Sequence, residues 1–172
     1  MNVLFYIAAV VAVICTIMVI TNLNAVHALL YLIVSLLSVA LIFFLLGAPF
    51  AAALEVIIYA GAIMVLFVFV VMMLNPESQS IRSRKQLLRP SMWIGPAVPA
   101  AILLGELVYV LAAGSGSSPV NAGVGPNALS RALFGPYVLG VELASILLMA
   151  GLVGAYHLAR PQEPGTPEGD NP

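Results

Sequence analysis

Hydrophobic residues fall in five long blocks separated by short polar breaks: Val3–Ile20, His27–Leu46, Phe50–Leu74, Met92–Ala113 and Gly135–Leu158. A hydrocarbon layer of about 30 Å takes about 20 helical residues to cross, and each block is near that length. None shows the residue-by-residue alternation of a membrane barrel strand. Lipid gives the backbone no hydrogen-bond partner, so each block must satisfy its own polar groups as a helix. The pattern predicts an all-α, polytopic membrane protein with five transmembrane helices at about 3–20, 27–46, 50–74, 92–113 and 135–158. The first block lacks the basic head and small-residue exit of a secretory signal, so it is expected to be retained.

The breaks refine this plan. TNLNA (21–25) reads as a tight turn in which Asn24 caps the second helix, and GAP (47–49) is tighter still. The stretch 75–91 is polar and holds Arg82, Arg84, Lys85 and Arg89, whereas 114–132 is rich in Gly, Ser and Pro and holds only Arg131. The segment 161–172 contains four prolines and nothing to bury. It is expected to be a disordered tail after a five-helix membrane domain at 1–160. Basic residues collect on the cytoplasmic side of membrane proteins. With the 75–91 loop and Arg160 inside, five basic residues face the cytoplasm and one faces out. The N-terminus is then periplasmic, the C-terminus cytoplasmic, and Trp93 an interfacial anchor.

Composition agrees. Of 172 residues, 62% are hydrophobic and 8% charged, where soluble domains run near 45–50% and about 25%. A net charge of −1 offers no field for nucleic acid. The single cysteine, Cys15, permits no internal disulfide and reads as a small packing residue. No internal repeat, nucleotide loop, HExxH or CxxC is present, and His27 and His157 are too scattered for a haem or metal site.

The chemistry lies in acids placed within apolar blocks: Glu55, Glu106 and Glu142. An ionisable residue at a bilayer centre costs about 2.5–3.5 kcal/mol, so it is a functional candidate by default. Glu55 lies about 8 Å from Phe50, Glu142 about 10 Å from Gly135, and Glu106 a similar distance from Ala113, which places all three in the outer half. Acids in such places can hold a proton while dry and release it when hydrated, as a proton relay requires. The alternative for each is a hydrogen bond to a neighbouring helix. Tyr59 follows Glu55 by four residues on one helix face. Gly61, between two alanines and near the midplane, has two readings. One is close packing of a neighbouring helix; the other is a weak point where the ladder slips into a π-bulge. Met64 to Met73 is bulky and apolar, suited to lipid or partner contact.

The run EVIIYAGAIMVLFVFVVMMLN, preceded by NAVHALLYLIVSLL and followed by FGPYVLGVELASILLMAGLVGAYHLAR, resembles the subunit J family of bacterial respiratory complex I. That enzyme is the proton-translocating NADH:quinone oxidoreductase, and the mitochondrial counterpart is subunit 6 of NADH dehydrogenase. The resemblance covers about residues 1–160, including the WIGP start of the fourth helix. It implies a cell inner-membrane subunit beside subunit K and the quinone-site subunit, with no cofactor of its own. FMN, iron–sulfur clusters and quinone belong to other subunits. It also implies a third helix that switches between α and π forms around Tyr59 to Val65 and so gates a water path. Glu55 and Glu142 match acids of the family pattern; Glu106 matches none. The residues expected to form the proton path or gate are Glu55, Tyr59, Gly61, Met64, Val65, Phe67 and Glu142, with Met64 and Phe67 as the blocking side chains. Two other readings of the chain stay open: a subunit of a multisubunit cation/proton antiporter, and a structural membrane scaffold.

Overall fold

The computed structural model describes residues 2–74, 90–113 and 124–160. The basic cluster at Arg82, Arg84, Lys85 and Arg89 and the segment 161–172 lie outside them. The described residues form two compact units, Met1–Pro126 and Asn127–Pro172. They are helical, with no strand among them, and five of their helices are long and apolar enough to cross a membrane.

In the first unit α1 (Asn2–Thr21) packs most extensively on α2 (Ala25–Leu45). Small residues make this possible. Ala8 and Cys15 of α1 are fully buried, as is Ser38 of α2, and Val11, Val34, Leu41 and Leu103 complete the core. Cys15 is thus the packing residue its surroundings suggested. Hydroxyls stitch the pair. Ser38 Oγ donates to the Ala8 carbonyl at 2.5 Å, and the Thr16 and Ser35 hydroxyls meet at 2.9 Å. The Thr16 and Ser35 hydroxyls also reach the Ala12 carbonyl, at 2.8 and 3.2 Å, and such bonds hold neighbouring membrane helices together.

The turns follow from their residues. The Asn24 side chain accepts from the Val26 N–H at 3.1 Å, capping α2 as expected. At the other end Gly47 takes φ +83. Its N–H reaches the Phe44 carbonyl at 3.1 Å and the Ala48 N–H reaches Phe43 at 3.0 Å, the paired bonds of a Schellman cap. A side chain disfavours that left-handed conformation, and Pro49 then opens the next helix.

The third span runs Pro49–Met73. It begins as α3 (Pro49–Glu55), passes through a π-helical stretch at Val56–Ile63 and resumes as α4 (Met64–Leu74). All three parts pack on α2. The fourth span, α5 (Pro90–Ala113), carries Pro96 and Pro99 inside the helix and packs on α2 and, less extensively, on α1.

The second unit departs from the expected boundaries. The sequence placed a loop over 114–132 and a fifth helix from Gly135. Instead a short helix, α6 (Pro126–Leu133), precedes a turn, and the fifth span α7 begins at Val138 and ends at Ala159. The reason is local. In the turn, a Cβ on Gly135 would sit 2.6 Å from the Arg131 carbonyl oxygen, so only glycine fits. The Tyr137 N–H closes the turn on Ala132 at 3.1 Å.

Candidate functional site

The site is the middle of the third span. At its entry the Val56 N–H still bonds to the Ala52 and Ala53 carbonyls, as in an α-helix. At its exit the Met64 N–H bonds to Tyr59, five residues back, as a π-helix requires. The π-bulge expected near Gly61 is therefore present, extended over eight residues. Gly61 fits its geometry. A Cβ there would lie 3.2 Å from the Val56 carbonyl oxygen, also five residues back, so the wide turn brings carbonyl and Cβ into conflict. Such stretches are rare and concentrate at functional sites.

The side chains divide by face. Met64, only 5% exposed, turns inward, whereas Val65 at 61% and Phe67 at 50% face outward. No residue of the π stretch is buried. Tyr59 is exposed and Glu55 partly so, and no hydrogen bond joins them. Four-residue spacing leaves the two on nearly one face in a π turn as in an α turn, so a shared face alone does not bring the phenol and the carboxyl into a hydrogen bond. Gly61 and Met64 are brought to one turn of one helix, while Phe67 and Val65 are presented away from the first unit's core.

Glu142 belongs to the second unit. Because α7 starts at Val138, this acid lies only about 6 Å from the helix start, in the second turn, less deep than a start at Gly135 implied. Ser145 Oγ donates to its backbone carbonyl at 2.9 Å. His157 stands in the last turn of α7, and His27 is buried in the first turn of α2. No group of His, Cys, Asp and Glu able to hold a metal ion occurs among the described residues.

Sequence reasoning placed Glu106 among the candidate acids but outside the family pattern; it is 6% exposed, and neither carboxylate oxygen has a hydrogen-bond partner among the described residues. Its signal was present: an acid one helical turn past Ile102 and Leu103 on an apolar helix.

Comparison with known proteins bears on this arrangement. Residues 15–158, which contain the whole π stretch, match the profile of the family described as NADH-ubiquinone/plastoquinone oxidoreductase chain 6. This chain belongs to that family. Among chain 6 relatives, the NADH-quinone oxidoreductase subunit J of Pseudomonas aeruginosa is 56% identical over 161 residues, covering 91% of this chain and 95% of the relative. The subunit of the same description from Escherichia coli (strain K12) is 53% identical over 165 residues, covering 94% and 88%. That of Buchnera aphidicola from Schizaphis graminum is 46% identical over 160 residues, covering 93% and 98%. Membership in the chain 6 family agrees with the resemblance drawn from the third and fifth helices.

Proposed function

We propose that this chain is a membrane subunit of a proton-translocating NADH-quinone oxidoreductase and contributes a gate rather than a catalytic centre. The observation that carries the reading is the π-helical stretch Val56–Ile63 with Gly61 close to the Val56 carbonyl, in a chain of the chain 6 family. Flavin, iron–sulfur and quinone chemistry then belongs to other subunits. Subunit K and the quinone-site subunit are the proposed neighbours, and the outward residues of the π stretch are the surface they would cover.

The gate works by register. A turn of α-helix holds 3.6 residues, so a one-residue slip rotates every later side chain of the span by about 100°. Rewinding the π stretch would turn Met64 away from the α2 side and bring a branched neighbour, Ile63 or Val65, toward it. An apolar constriction that changes shape in this way opens or closes to water by dewetting. Quinone chemistry in an adjoining subunit would bias the two registers, and Glu55, at the entry to the π stretch, would exchange the proton. The cell inner membrane is the proposed location, with the N-terminus periplasmic and the C-terminus cytoplasmic.

Gly61→Leu tests this reading. The variant enzyme is expected to assemble but to reduce quinone slowly or without full proton translocation, read as NADH oxidation and proton uptake in membrane vesicles. Normal turnover with normal pumping would leave the chain a scaffold.

A further inference from the structure

Glu106 plays no part in the site described above, yet it is nine-tenths buried and unpartnered. It prolongs the inward stripe of α5. Pro99 and Leu103 precede it by seven and three residues, the spacing that keeps side chains on one helix face, while the exposed Ile102 lies to one side. Pro99 and Ile102 line grooves against α1, and Leu103 belongs to the apolar core. The helices packed on α5, α1 and α2, contain no acid, lysine or arginine. Their titratable groups are Tyr6, Cys15, His27 and Tyr31. The Tyr31 hydroxyl abuts Gly95, about 16 Å back along α5, and His27 lies a turn beyond it on α2. Cys15 lines the groove at Gly95 and Pro99, and Tyr6 is exposed. Across the remaining groove, α3 and the π stretch offer Glu55 and Tyr59, neither of which lines it. Neither helix packed on α5 supplies a lysine or arginine to fix a negative charge on Glu106, and an unpaired buried charge is strongly unfavourable.

A groove runs beside its neighbours on α5, although Glu106 itself is not among the residues that line it. This groove, of about 410 Å³, separates α2, α3 and α5. Leu103, Leu104 and Leu107, which flank Glu106 in sequence, form its α5 wall; Ala52, Ala53 and Val56 form the wall that leads into the π stretch. One water takes up about 30 Å³ in the liquid; the groove's lining is apolar, so water would have to enter transiently and pass Leu103 and Leu107 to meet the carboxyl. Val56 is also the residue whose carbonyl crowds Gly61, so rewinding at Gly61 would move that wall.

We propose that Glu106 is a proton-exchanging carboxyl, loaded and unloaded by water that enters the groove between α2, α3 and α5. When water arrives, the carboxyl O–H bond breaks and the proton passes to water as hydronium, leaving a carboxylate; the reverse transfer reloads it before the groove dries. No electron is exchanged. The inference rests on the gating reading only for what opens the groove.

The test uses the intact enzyme in native membrane vesicles and a hydrophobic carbodiimide. This reagent adds across a protonated carboxyl shielded from bulk water and rearranges to a stable N-acylurea, which mass spectrometry locates by peptide. The Glu106 peptide is expected to carry the adduct, and Glu106→Gln to lose it. In Glu106→Gln, protons translocated per NADH oxidised should fall while NADH oxidation by an artificial flavin-site acceptor persists. An unlabelled Glu106 peptide in the wild-type enzyme overturns the proposal, as does full pumping by Glu106→Gln. The labelling needs no variant, so a failure of Glu106→Gln to assemble leaves it decisive. If Gly61→Leu pumps normally while Glu106 is labelled and required, the gate reading fails and the Glu106 site stands.

Discussion

Gly61 carries the plainest physical argument in the molecule. Its missing Cβ avoids a 3.2 Å approach to the Val56 carbonyl oxygen, which a side chain there would force to give by a few tenths of an ångström. Alanine there would crowd that carbonyl and favour the α form by about 0.8–1.0 kcal/mol in helix propensity as well. Gly61→Ala is therefore expected to shift the register toward α and to slow amide exchange over residues 60–64 in the assembled enzyme, measured by hydrogen–deuterium mass spectrometry. Unchanged exchange there would mean that the glycine does not tune the register. Glu55→Gln keeps the shape of the side chain and removes the proton. It should lower the proton-to-electron ratio in vesicles, and an unaltered ratio would reduce Glu55 to a packing residue. The acid, the phenol and the glycine were all legible as residue types at this scale. The absence of a Glu55–Tyr59 hydrogen bond was not, because a shared helix face permits contact between two side chains without requiring it.

At the scale of elements, the first two helices are joined through hydroxyls rather than through large apolar side chains. Intramembrane hydrogen bonds of this kind contribute about 0.6 kcal/mol on average. Ser38→Ala removes the bond to Ala8 and leaves a small void, so a loss of about 0.5–1.5 kcal/mol is expected. An SDS titration of the purified chain would register it as an earlier midpoint, and an unmoved midpoint would assign the α1–α2 association to packing alone. The caps were readable from residue identity, since Asn24 and Gly47 have few other uses where they stand. The start of the last span was misplaced. Gly135–Pro136 is a turn signal that an unbroken reading of the block from Gly135 overlooked, and the crowding of Gly135 by the Arg131 carbonyl shows that the chain turns there.

For the molecule as a whole, the apolar faces that the π stretch and α4 direct away from the first unit's core define what remains to be covered by lipid or other subunits. Orientation is tested at this scale. A cytoplasm-active reporter fused after Pro172 should fluoresce and a periplasm-active phosphatase at the same point should stay silent. The opposite outcome would reverse the proposed topology.

Hydropathy alone determined the helical class, the number of crossings and their approximate limits, because lipid leaves a spanning backbone no alternative to internal hydrogen bonding. The residues of the third span left close packing and a π-bulge open at Gly61, and the family resemblance pointed to the bulge. Tertiary structure decided the rest. It turned Met64 inward and Val65 outward, and it buried Glu106 without a partner. Those outcomes depend on which faces of neighbouring helices meet, and a side chain's surroundings come from residues far away in the chain.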